Sequence, residues 1–169
     1  MTEKTPEPLP CRLPLDKNNA ALPFVWQRDE YSCGPACLAT IGKLYGAEAV
    51  SYDTLRAILE PNQTVGSCNF KMAAVSRDFF PVAGDGENTY HGGVAVANIM
   101  QEGEGHYVVF LCREGEKVIY YDPYHHELVI DRLDDLEWIS ESKHLTRWSV
   151  NYAPHELRSI AAWRALGGV

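Results

Sequence analysis

The stretch "QRDEYSCGPACLAT", residues 27–40, decides how this chain is read. A cysteine, a glycine and a proline stand in a row, and apolar residues at Ala36, Leu38, Ile41, Leu44 and Tyr45 follow at helical spacing. Pro35 suits the first turn of a helix, where its missing N–H is no loss, and Gly46 is a plausible stop. A helix is therefore predicted over Gly34–Tyr45, with Cys33 at its mouth. A helix N-terminus presents unpaired N–H groups and partial positive charge, surroundings that favour a nucleophilic thiolate. Gly34 leaves room for a substrate backbone beside the sulfur. Cys37, one turn further in, reads as core.

A thiolate nucleophile needs a base, and the base needs an orienting acceptor. Of the six histidines, His106 is the best placed, because it follows "GEG" and opens the apolar run "HYVVFLC". Sixteen residues later Asp122 ends the next run, "KVIYYDP". A hairpin of that length brings the end of its second strand back to the start of its first, so His106 and Asp122 are expected as cross-strand neighbours. Asp122 also suits the start of an Asp-Pro turn. His91, in a turn, is the reserve candidate for the base. Gln27, six residues before Cys33, has a side-chain amide able to join the cysteine's own N–H in stabilising an oxyanion.

Around this constellation the chain divides simply. Its 169 residues, 46% of them hydrophobic, suffice for one domain with a real core and no need of disulfides. Residues 1–20, with four prolines, read as a flexible arm. Residues 21–155 read as the folded domain, and 156–169 as a C-terminal helix or tail. Ser51 is a candidate N-cap for a second helix ended by Pro61, and a third is expected over Asn69–Asp78. From residue 94 the period changes. "GVAVANIM", "HYVVFLC" and "KVIYYDP" read as consecutive antiparallel strands, and "ELVIDRL" and "RWSVNY" add two more. Helices first and a sheet second argue for an α+β domain.

A net charge of −8 argues against nucleic acid and anionic membrane as partners. The polar, proline-rich start lacks the apolar core of a signal peptide, and no run approaches the length of a membrane span. Synthesis in the cytoplasm is expected, with export open only to a route that reads some other signal. Five irregularly spaced cysteines do not resemble a disulfide framework. A metal site built from Cys33, Cys37, His125 and His126 is disfavoured, since adjacent histidines on a strand face opposite ways. No metal and no cofactor are expected.

Taken together, "Q-x5-C-G-P-A", "GHYVVF" and "YYDPY" resemble the C39-type peptidases of the papain-like clan over about residues 24–150. The resemblance implies a papain-like fold, with a helical lobe packed on an antiparallel sheet. It also implies four roles: Cys33 as nucleophile, His106 as general base and then acid, Asp122 as orienter and Gln27 as oxyanion donor. Trp26, Gly34 and Gly105 are the expected substrate-facing residues. The best-known relatives cleave leader peptides after a double glycine and are fused to ABC transporters, whereas this sequence has neither membrane spans nor a nucleotide-binding motif. The expected activity is cleavage of a peptide or protein. The alternatives are glutamine deamidation on the same fold, as in some bacterial effectors, and a non-catalytic binding domain. Secretion machinery or an inhibitor protein are further candidate partners, on fold-level analogy.

Overall fold

The structure, a computed structural model, describes residues 8–47, 50–63, 66–137 and 147–155. The C-terminal helix or tail expected at 156–169 lies outside the described residues. Three helices precede most of the sheet: α1 (Cys33–Leu44), α2 (Tyr52–Leu59) and α3 (Asn69–Phe79). The strands are β1 (Cys11–Pro14), β2 (Val82–Glu87), β3 (Ala95–Gln101), β4 (Glu104–Glu114), β5 (Lys117–Asp122), β6 (Glu127–Arg132) and β7 (Trp148–Tyr152). They form one antiparallel seven-stranded sheet in the order β1-β6-β5-β4-β3-β7-β2. The chain is α+β, as its pattern predicts.

Helix α1 is the centre of the molecule. Every residue from Cys33 to Gly42 is buried, so the helix is wrapped on all sides rather than laid on a surface. It packs on β4 and against α2. Ala36, Cys37, Leu38 and Ile41 are fully enclosed, and each large aliphatic side chain so buried stabilises the fold by roughly 1.5–3 kcal/mol. The helix begins at Cys33 itself, with Ser32 as its N-cap, so the cysteine sits in the first turn. Helix α2 is amphipathic, with Tyr52, Leu55 and Leu59 inward and Ser51 capping the Thr54 N–H at 3.2 Å.

The strand meander β3 to β6 follows the predicted order. Its first hairpin closes through Glu102 and Gly103, both at positive φ (52° and 81°), the signature of a two-residue type I′ turn. One face of the sheet, with Val96, Tyr107, Val109, Ile119, Tyr121 and Val150, packs on the helices. Ala97, Ile99, Val108, Phe110, Val118, Tyr120 and Val129 form a second apolar cluster on the opposite face.

Two strands depart from the sequence expectation. Cys11–Pro14, within the stretch read as a flexible arm, pair with Leu128–Ile130 and Glu127 as an edge strand, and Arg12 is ion-paired to Glu127. Val82–Glu87, where the sequence pattern predicts no strand, pair with β7 at the other edge, with a bulge between Val82 and Gly84. Proline and glycine are tolerated at edges and bulges, which is why neither segment shows a strand pattern.

All five cysteines are free thiols. Cys37 is fully buried, and burial pushes its thiol well above the ordinary range. Cys37→Ala is expected to lower stability by about 1–2 kcal/mol through the cavity it leaves, whereas Cys68→Ala, at an exposed position, is expected to stay within about 0.5 kcal/mol of wild type. Urea unfolding midpoints at constant slope check both.

Candidate active site

The alternation of side chains along a strand sets the site's geometry. Tyr121 pairs with Val109, so Asp122 lies beside Val108, and His106 is two residues further along β4 on the same face. On the other side of β4, Ile99 pairs with His106, and Gln101 follows two residues later. Gln101, His106 and Asp122 therefore converge at one end of the sheet. Nε2 of His106 lies 2.8 Å from Oδ1 of Asp122, the contact expected from the hairpin spacing.

The N-terminus of α1 reaches the same place from behind. Cys33 Sγ accepts the Tyr107 backbone N–H at 3.5 Å, and the sulfur lies close enough to the His106 ring to favour its protonated form. Because Nε2 serves Asp122, the ring's other nitrogen, Nδ1, is the one left for the sulfur. The close seating of α1 depends on Gly34. A Cβ there would lie 2.7 Å from Ser67 Oγ, 2.9 Å from Ser67 Cβ and 3.0 Å from Met72 Sδ. The space that Gly34 leaves is thus taken by Ser67 and Met72 of this chain, not kept for a substrate backbone.

Asp122 has no solvent exposure, and an isolated buried carboxylate is costly unless its lone pairs are met. Oδ1 accepts from His106 and from the Tyr124 backbone N–H (2.9 Å). Oδ2 accepts from Gln101 Nε2 (3.0 Å) and His125 Nδ1 (2.7 Å). Burial favours the neutral acid, but the His106 bond and charge, with the bonds from His125 and Gln101, hold the carboxyl well below the usual carboxylate range. For His106 the balance is similar. Burial disfavours the imidazolium, yet the hydrogen bond to Asp122 and the negative charges of Cys33 and Asp122 outweigh it, and the pKa is pushed up to about 9.

Gln27 is buried between the two lobes. Its backbone N–H donates to the Pro123 carbonyl at 3.0 Å, and its Nε2 donates to the Asp29 carbonyl at 2.7 Å. One amide proton of Gln27 is thereby used, and the second is free for another acceptor. The segment before it is held to α1 by Thr40, whose hydroxyl accepts the Val25 N–H (3.0 Å) and donates to the Ala36 carbonyl (2.9 Å).

A cleft of about 660 Å³ opens over Cys33 and His106 and is walled by Gly105, Tyr107, Tyr31 and Tyr124 among others. Of the three expected substrate-facing residues, Gly105 lies on its wall, while Gly34 and Trp26 do not. Trp26 is a surface ring with Lys17 Nζ 4.8 Å from its centroid. His91 is off the cleft and stacks on Tyr90. Cys33, Cys37, His125 and His126 are not gathered around one point. His126 is bonded to the Tyr121 hydroxyl at 2.7 Å and His125 to Asp122. Asp122, His125 and Glu127 do cluster, but their charges are already met by His106 and Arg12.

The raised pKa of His106 fixes a pH dependence. Its folded value, about 9, exceeds the ordinary 6.5, so its ion pair stabilises the fold fully below about pH 6.5 and is lost as pH rises through about 9. The lowered Asp122 carboxyl stabilises above its ordinary range, and that contribution is lost only as pH falls through its depressed value. An NMR titration of the His106 ring is expected to give a midpoint near 9 and, in Asp122→Asn, one well below that. A native midpoint below the ordinary value contradicts the assignment.

Comparison with known proteins bears on the family and the fold. Residues 21–137 match the Peptidase C39 family. The fold is similar to the peptidase domain of Streptococcus ComA, described as a bi-functional ABC transporter involved in a quorum-sensing pathway. The two share 22% identity with a TM-score of 0.52, over 78% of this chain and 98% of that one. No curated protein matches the sequence. With more than half of its length matched, the chain belongs to the Peptidase C39 family, and its α+β fold is that of a cysteine-peptidase-like domain.

Proposed function

We propose that this chain hydrolyses an amide bond of a peptide or protein through a thioester on Cys33. The observation that carries the proposal is the buried His106–Asp122 hydrogen bond, with the His106 ring and the Cys33 sulfur side by side on the wall of an open cleft. The Cys33 thiolate attacks the carbonyl carbon, forming a C–S bond and moving an electron pair onto oxygen. The Cys33 N–H, in the first turn of α1 where no intrahelical acceptor exists, and the second amide proton of Gln27 stabilise that oxyanion. Collapse of the intermediate breaks the C–N bond, and the imidazolium of His106 gives its proton to the leaving amine. His106 then takes a proton from water, whose oxygen attacks the thioester. The acid product leaves, and the Cys33–His106 pair is restored.

Asp122 keeps the ring of His106 turned so that its other nitrogen serves the sulfur, and it stabilises the imidazolium. The proton carried by His106 near neutral pH is the one the leaving amine needs. This suits a group poised as an acid in the first half-reaction.

Mass spectrometry of a peptide mixture incubated with the protein tests the reading. Wild type is expected to cleave chains, and Cys33→Ala is expected to lose all cleavage while keeping its fold. Gln27→Ala is expected to lower kcat on the order of 10²–10³-fold with KM little changed. Exchange of NH2 for OH at glutamine side chains, without chain cleavage, replaces the peptidase reading by a deamidase. Neither product from wild type, with Cys33 free and reactive, overturns amide hydrolysis altogether.

A further inference from the structure

The cleft carries one sign of charge. Its described walls hold Glu30, Glu102 and Glu104 and no lysine or arginine, and the sole cationic group is His106 of the Cys33 pair. The arginines and lysine near these walls are committed elsewhere: Arg28 to Asp53 (3.3 Å), Arg56 to Asp29 (3.2 Å) and Lys71 to Glu60 (3.5 Å). Among the described residues, Glu30, Glu102 and Glu104 form no ion pair. They are also close to the chemistry along the chain. Glu104 is two residues from His106, Glu102 is on the turn before it, and Glu30 is three residues from Cys33.

A second, independent feature points the same way. Asn98 lines the cleft and is only 8% exposed. Its Nδ2 is spent on Asn69 Oδ1 at 3.1 Å, and its Oδ1 has no partner. A buried acceptor without a donor is rare in folded proteins, and here it belongs to a residue of the cleft wall. Tyr124 adds an aromatic ring, 48% exposed, edge-on to His106 with ring centroids 6.4 Å apart. Carboxylates, a buried amide oxygen lacking a donor and an aromatic face together match a donor-rich cation.

We propose that the cleft selects peptide segments carrying lysine or arginine within two residues of the scissile amide, read by Glu30, Glu102 and Glu104 with Asn98. The selection rests on the amide-hydrolase reading above. Like-charged carboxylates around a concave site focus the field and enrich cations there. The effect is screened as salt rises, because the Debye length falls from about 10 Å at 0.1 M to about 3 Å at 1 M.

Two measurements test this separately from hydrolysis. The first compares alkylation of Cys33 by bromoethylammonium, iodoacetamide and iodoacetate, mapped by mass spectrometry and divided by the same rates for glutathione. The reporting variant is Glu30→Gln, Glu102→Asn, Glu104→Gln, in which asparagine suits the positive-φ turn position. The cation-to-anion rate ratio at Cys33 is expected to fall on the order of tenfold from wild type to this variant, and to fall likewise in wild type at 1 M salt. An equal ratio in the two proteins overturns the proposal. The second maps cleavage sites in a tryptic-free peptide library carrying all residue types. Lysine or arginine is expected to be enriched within two residues of the cut in wild type, and less so in the variant. Enrichment of acidic residues, or of no charge class, overturns the selection. Absence of any cleavage instead strikes the hydrolase reading, and the alkylation ratio still judges the charge selection alone.

Discussion

A carboxylate with no exposure to water organises this molecule. Asp122 must be met by donors on every side, and four arrive from three parts of the chain: His106 from β4, Gln101 from the end of β3, and the Tyr124 backbone and His125 from the turn after β5. Removing such a charge from its partners leaves a desolvated group whose cost far exceeds that of a surface pair. The end of the sheet is therefore locked in one arrangement, and that arrangement turns the His106 ring toward Cys33. The stability of this corner and the orientation of the base are one physical fact.

The helical lobe is fastened to the same corner by short polar links rather than by apolar packing alone. Tyr107 N–H meets the Cys33 sulfur, Gln27 N–H meets the Pro123 carbonyl, and Thr40 ties the strand-like approach of Val25 to α1. Arg56 reaches across from α2 to Asp29 and Ser32, bracing the loop that leads into Cys33. Asp29 in turn holds the Gln27 amide. Each link is a directional bond to backbone or to a neighbouring side chain, so the groups around the sulfur are set by the fold before any substrate enters. Gly34 permits this because a larger residue would strike Ser67 and Met72.

The residues with local signatures were legible in the sequence, and those fixed by distant pairing were not. The Cys-Gly-Pro run and the helical spacing after it locate α1 to within a residue of its ends, and the period-two runs locate β3 to β7. The distance between His106 and Asp122 along the chain specifies a hairpin, so their meeting is foreseeable from two strands and a turn. Strands β1 and β2 carry prolines and glycines in place of alternation, and each is defined by a partner strand far away in sequence. Gln101 and His125 escape a sequence reading for a related reason, since nothing local marks them as donors to a carboxylate. The i, i+3 spacing of Asp122 and His125 across the Asp-Pro turn is compatible with their contact but too common to single it out. Gly34 was legible as a special position, but its reason lies in α3 and the loop before it, which sequence alone does not bring near. An acidic turn such as Glu102-Gly103-Glu104 reads as a solvated hairpin tip until the cleft beside it is seen.

The central claim is that Cys33 and His106 share a proton across the junction of the two lobes. The rate at which a small neutral alkylator labels Cys33 at neutral pH, in wild type and in His106→Ala, tests this most directly. The account predicts that the variant, with its fold intact by circular dichroism, labels Cys33 on the order of tenfold more slowly or worse, because the thiolate loses its cationic partner. Equal labelling rates in the two proteins contradict it.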